Sequence, residues 1–155
     1  MNTLASLHQQ LILDHYRNPR NKVSLEECDS EGWATNPMCG DEVTLQLSLD
    51  KDTIKGISFG GKGCSISQAA ASMLSVRLRG SSLETASLLT SQFTGMMNSS
   101  IGEPDAVFMG DLLAFEGVRK FPLKVRCALL ICEAFQKALE KANELGRSKA
   151  LMEDL

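Results

Sequence analysis

Apolar and polar positions alternate most clearly in Val43-Thr-Leu-Gln-Leu-Ser-Leu49, where Val43, Leu45, Leu47 and Leu49 share one side. Period two predicts a half-buried strand. Ile54-Lys-Gly-Ile-Ser-Phe59 resumes the pattern after the polar turn Asp50-Lys51-Asp52, which predicts an antiparallel hairpin. Elsewhere the period is helical. Leu4, Leu7 and Leu11 space out as one face of a helix that Asn18-Pro19 ends. Ser65 to Arg79, rich in Ala and Ser, predicts a helix closed by Gly80. Ser81 and Glu84 form a capping-box pattern that opens another helix towards Met97.

Ala128, Ile131, Phe135, Ala138, Ala142 and Leu145 step by three and four along a last helix. Pro122 suits its start, and Gly146 is the expected stop. The segment Asp105 to Phe115 predicts at most a short helix, because Gly102, Pro104, Gly110 and Gly117 interrupt it. Arg20 to Gly40, dense in Asn, Ser, Glu, Gly and Pro, is expected to be loop. The pattern predicts an α+β chain: one domain over residues 1–146, followed by a mobile tail over 147–155.

Composition excludes several functions. A chain of 155 residues with 43% hydrophobic content can bury one real core. A net charge of -3 offers no basic stripe for a nucleic-acid backbone. Met1 to Gln10 lacks the apolar run of a signal peptide, and nothing approaches the length of a membrane span. The expectation is a cytoplasmic protein with neither nucleic acid nor membrane as partner.

Five cysteines then need a reason. Their number is odd and their spacing irregular, which disfavours a disulfide framework. Cys39 lies in the turn Asn36-Pro-Met-Cys-Gly-Asp41, where Gly40 lets a thiolate and the Asp41 carboxylate face one point. Both groups are zinc donors. Cys64 follows Gly60-Gly61-Lys62-Gly63 and precedes a helix, whose N-terminus favours the thiolate. Cys127 lies in the first turns of the last helix behind Lys124 and Arg126, two cations that also favour ionisation. No C-x-x-C pair exists, so from the residues alone a shared metal or thiol site and a set of buried structural cysteines both stay open. Cys132, among Leu129, Leu130 and Ile131, fits the core, and Cys28, in Glu26-Glu27-Cys28-Asp29, fits an incidental exposed thiol. His8 and His15 are seven apart rather than the four of helical zinc motifs, so His15 is expected to pack or hydrogen-bond.

Four segments together resemble a known family: Ile12-Leu-Asp-His-Tyr-Arg-Asn-Pro-Arg-Asn21, Asn36-Pro-Met-Cys-Gly-Asp41, Gly61-Lys-Gly-Cys-Ser-Ile-Ser67 and Lys124-Val-Arg-Cys-Ala128. They resemble, in order, the SufU branch of the IscU/NifU N-terminal family of iron–sulfur assembly proteins. The resemblance implies a SufE/NifU-like fold, with an antiparallel sheet of about three strands packed by several helices. It implies Cys39, Asp41, Cys64 and Cys127 as ligands of Zn2+, and Cys39 as acceptor of persulfide sulfur from a pyridoxal-phosphate cysteine desulfurase similar to SufS. Downstream iron–sulfur assembly proteins would follow as further partners.

The branch is read from Gly110 to Cys127. Gly110 to Pro122 looks like the insertion of that branch, and Phe121-Pro-Leu-Lys-Val-Arg-Cys127 lacks the scaffold branch's Leu-Pro-Pro-Val-Lys motif. Arg126 stands where that scaffold branch has histidine, and its expected role is thiolate support or partner contact. The alternative reading is a scaffold on which a labile iron–sulfur cluster forms at the same ligands. A purely structural zinc adaptor fits less well, because such sites are closed and cysteine-rich, whereas this set includes Asp41.

Overall fold

A computed structural model describes the backbone of residues 3–153 and the side chains of residues 3–146. The chain runs α1 (Thr3–Arg17), β1 (Ser30–Asn36), β2 (Asp41–Asp50), β3 (Thr53–Lys62), α2 (Ser65–Leu78), α3 (Leu83–Met97), α4 (Ala106–Met109), a 3-10 segment (Gly110–Lys120) and α5 (Pro122–Glu153). The three strands form one antiparallel sheet in the order β1-β2-β3. The expected α+β architecture is the observed one. No helix among the described residues is long and apolar enough to cross a membrane.

The β2–β3 hairpin follows its alternation: Val43, Leu45 and Leu47 on β2 and Ile57 and Phe59 on β3 are buried. Helices α2 and α5 cover that face, bringing Ala69, Ala70, Leu74, Ile131, Ala134 and Phe135 into the same core. Burying a side chain of Leu, Ile or Phe size contributes about 1.5–3 kcal/mol each, so this layer anchors everything at the sheet's ends.

Strand β1 lies inside the segment expected to be loop. Apart from the exposed Trp33, its residues, Ser-Glu-Gly-Trp-Ala-Thr-Asn, are small or polar, yet burial alternates along it. Small residues are what the packing requires. A Cβ on Gly32 would collide with the backbone carbonyl of Ala134 and lie 2.6 Å from the backbone nitrogen of Ala138. Helix α5 therefore rests directly on β1, and Ser30 Oγ donates to the Ala138 carbonyl. An apolar-pattern reading has no large side chain to detect on the buried face, because the one large apolar residue, Trp33, faces outward.

Three smaller expectations are revised and one, the short helix near Asp105, is met. Helix α1 buries Ile12 and His15, whereas Leu4 and Leu7 are each 59% exposed. The N-cap of α3 is Ser82, whose hydroxyl accepts from Thr85 N at 3.1 Å, not Ser81 with Glu84. The short helix near Asp105 is α4, capped by Asp105 and continued by the 3-10 segment. Gly146 does not stop α5, because Ala138 and its predecessors already hold the helix on the sheet. The tail expected over residues 147–155 lies outside the described side chains.

Candidate metal centre

One end of the sheet gathers three chain reversals. The β1–β2 turn, Pro37 to Gly40, carries Cys39, and Gly40 takes φ +71°, a left-handed conformation that a glycine adopts without strain. Asn36 ties this turn together. Its backbone carbonyl accepts from Cys39 N at 3.2 Å, its Oδ1 accepts from Met38 N at 3.3 Å, and its Nδ2 donates to Cys127 Sγ at 3.8 Å. Asp41, first residue of β2, is only 2% exposed. The end of β3 delivers Gly63 and Cys64, and Cys64 caps α2.

The buried Asp41 carboxylate is held by its neighbours across the sheet end. Oδ1 accepts from Cys64 N at 3.0 Å, and Oδ2 accepts from the Cys64 thiol at 3.4 Å. A buried charge without partners would be costly, and this backbone donor at a helix start is the usual compensation. Gly63 makes the approach possible, because a Cβ there would lie 2.6 Å from Asp41 Oδ1 and from Ser67 Oγ. Ser67 in turn donates to the Cys64 carbonyl at 3.2 Å and accepts from the Cys64 thiol at 3.9 Å.

Cys127, on the second turn of α5, is fully buried. Its thiol contacts Cys39 Sγ at 3.7 Å and the Leu123 carbonyl at 3.5 Å. Burial first, then hydrogen bonding to Asp41 and Cys39, pushes the Cys127 thiol far above the ordinary cysteine range. Cys39 by contrast is exposed. Donor atoms of Cys39, Asp41 and Cys127 lie within 4.8 Å of one another. Cys64 stands beside this trio, in contact with Asp41 rather than inside the same radius.

Two cations flank the group differently. The Lys124 ammonium is held charged by the negative fields of Cys64, then Cys127, Cys39 and Asp41. Arg126 is exposed and lines a groove with Thr94, Cys132 and Glu133, around the helix from the trio. The residues that sequence reasoning left without a role are Asn36, Gly63, Ser67 and Lys124's link to all four donors. A serine three residues after Cys64 at a helix start was a readable capping signal. The Asn36 contact crosses 91 positions, which no local pattern encodes.

The other candidates sit elsewhere. Cys132 is half-buried with its thiol pushed up to about 12 by burial. Cys28 is exposed, 3.8 Å from Gln46 Nε2. His15 Nδ1 shares a 2.8 Å hydrogen bond with Ser72 Oγ, which also accepts from Arg20 N at 2.9 Å, so this buried histidine locks α1 to α2.

The family described as "NifU-like N terminal domain" matches residues 7–128. The chain is 40% identical over 138 residues to the zinc-dependent sulfurtransferase SufU of Bacillus subtilis, covering 89% of this chain and 92% of that protein. It is 30% identical over 142 residues to the iron-sulfur cluster assembly scaffold protein IscU of Streptococcus pyogenes, covering 92% and 88%. Among solved structures it is similar to FiSufU, the SUF-system protein of Fervidobacterium islandicum, with TM-score 0.79, 29% identity and coverage of 84% and 94%. The N-terminal domain of a NifU-like protein from Brucella abortus shares the fold, with TM-score 0.79, 21% identity and coverage of 87% and 93%.

Proposed function

The chain belongs to the NifU-like N-terminal domain family, and from that premise we propose that it serves iron–sulfur cluster assembly as a zinc-dependent acceptor of persulfide sulfur. The observation that carries this reading is the donor set itself: Cys39, Asp41 and Cys127 within 4.8 Å, with Cys64 against Asp41. Three thiols and a buried carboxylate at one sheet end fit a tetrahedral zinc shell. Bound zinc would keep these thiols deprotonated at neutral pH and contribute no redox chemistry of its own.

The chain's own residues divide the remaining work. Cys39 is the acceptor because it is the exposed thiol of the set and sits on a turn with a left-handed glycine beside it. Its thiolate attacks the outer sulfur of a persulfide on a pyridoxal-phosphate cysteine desulfurase, whose own thiolate leaves. The Cys127 sulfur, 3.7 Å from Cys39 Sγ, is placed to share one metal ion with it. Lys124 supplies a positive field to the whole group. Arg126, exposed on the flank, serves the partner-contact half of its expected role. All five cysteines are free, which suits a reducing cytoplasm.

Similarity to IscU favours a second reading, in which a labile iron–sulfur cluster forms on the same ligands. One experiment separates the two. Protein purified without chelators is analysed for metal, then assayed for stimulation of a SufS-like desulfurase and for cluster transfer after anaerobic reconstitution. The sulfur-acceptor reading expects about one zinc per chain, stimulation lost in Cys39→Ser, and no transferable cluster. Stimulation that survives Cys39→Ser refutes the assignment of Cys39.

A further inference from the structure

The contact between Cys39 and Cys127 joins an exposed sulfur to a buried one. Their Sγ atoms are 3.7 Å apart. Cys64 turns its sulfur to Asp41 Oδ2 instead, and lies outside the radius that encloses Cys39, Asp41 and Cys127. We propose that Cys127 resolves the persulfide formed on Cys39, expelling the accepted sulfur as sulfide and leaving a Cys39–Cys127 disulfide. The inference rests on the sulfur-acceptor reading and adds a second chemical step to it.

The step balances without any further reactant. The starting species are Cys39–S–SH and the Cys127 thiolate. The Cys127 sulfur attacks the inner sulfur of Cys39, a bond forms between the two Sγ atoms, and the bond from Cys39 Sγ to the outer sulfur breaks. The outer sulfur takes the electron pair, keeps its own proton and leaves as HS⁻. Sulfane sulfur is thereby reduced by two electrons, which the two cysteine sulfurs supply as they become a disulfide. The protein returns to its starting state only when a dithiol reductant opens that disulfide. The reaction that follows sulfur acceptance is therefore a reductive one.

Geometry favours the inner sulfur as the target. Thiol–disulfide exchange proceeds in line, with the leaving sulfur opposite the attacker. Cys127 approaches from the core side and Cys39 faces solvent, so the departing sulfur points into water. Attack on the outer sulfur would instead pull a persulfide into the fully buried space already filled by Asn36 and the Leu123 carbonyl. Closing 3.7 Å to a disulfide of roughly 2.05 Å moves one sulfur by about 1.7 Å. The Pro37–Gly40 turn, exposed throughout, is the part that can travel.

The test uses the full chain with zinc bound, loaded with inorganic polysulfide in one arm and by a desulfurase with cysteine in the other. After removal of excess reagent, released sulfide is trapped and the protein is mass-mapped with no reductant present. The expected result is about one sulfide per loaded chain and a Cys39–Cys127 cross-linked peptide about 2 Da lighter than the dithiol. Cys127→Ser retains the Cys39 persulfide and releases sulfide at least about tenfold more slowly. Cys28→Ser, an exposed thiol that belongs to no part of the donor set, still releases it. A wild-type persulfide that persists until external thiol is added, or a cross-link to Cys64, overturns the proposal even if Cys127→Ser does not fold. Loading by polysulfide but not by the desulfurase, followed by release, refutes the acceptor reading and leaves the resolving step standing.

Discussion

Gly63 is a sensitive point of the metal centre although it carries no donor. In Gly63→Ala the new Cβ would stand 2.6 Å from both Asp41 Oδ1 and Ser67 Oγ, and 2.8 Å from Asp41 Cγ. Both oxygens must withdraw by roughly half an ångström or more to reach a tolerable contact. Ser67 can rotate, but Asp41 is pinned between the Cys64 amide at 3.0 Å and the Cys64 thiol at 3.4 Å. Displacing it breaks a hydrogen bond to a charged acceptor, worth about 1.5–3 kcal/mol. The same bond orients a ligand, and loss of such outer contacts weakens metal binding by roughly 10–100-fold. The two routes agree, since about 1.4 kcal/mol is a factor of ten. Zinc affinity is measured by competition with a chromophoric chelator, with Gly117→Ala as control because nothing lies within 4 Å of its added Cβ. A Gly63→Ala protein within about threefold of wild type in zinc affinity would refute Asp41 as a ligand held by the Cys64 amide.

The remaining predictions concern packing and charge. Gly32→Ala forces backbone apart between β1 and α5, so denaturant unfolding should show a loss of about 3 kcal/mol, the upper end of overpacking. Zinc affinity should fall with it, because β1 leads to Cys39 and α5 carries Cys127. Burial lowers the pKa of His15, with Arg20 adding to the shift and Asp14 and Asp111 opposing it. The folded state therefore binds fewer protons there, and His15 contributes stability above the unfolded pKa of about 6.5 that is lost as pH falls through the lower folded value. In His15→Gln the acid limb of stability below that pH should be shallower, read as the difference in urea midpoints between variant and wild type. Lys124→Met should move half-loading with zinc upward by about half a pH unit, the size of one Coulomb contact across solvent. Arg126→Met should move it less, and equal shifts would contradict the placement of Lys124.

The β2–β3 hairpin and α5 were legible because each buries large apolar side chains at its own period, whereas α2 and α3 were read from helix-forming composition and from end signals. The signals for Cys39, Asp41, Cys64 and Cys127 were local as well: turns, glycines and a helix start beside reactive groups. By itself the sequence also separated those four from Cys132, set mid-helix among leucines, and from Cys28, set among carboxylates. It carried the family in four short segments.

What only the tertiary structure decided are matters of close approach between distant segments. Strand β1 suits α5 because its inward face is small and polar, with no Cβ at Gly32, a fit not evident in Ser-Glu-Gly-Trp-Ala-Thr-Asn itself. Which thiol is exposed and which is sealed follows from α5 lying across the sheet end, so that Cys127 is buried against Asn36 while Cys39 stays on an outer turn. The pairing of Cys39 with Cys127, and of Cys64 with Asp41, spans 88 and 23 positions. Local propensity acts over a few residues, whereas those contacts are set by how the core packs, and a sequence read along its length does not contain them in readable form.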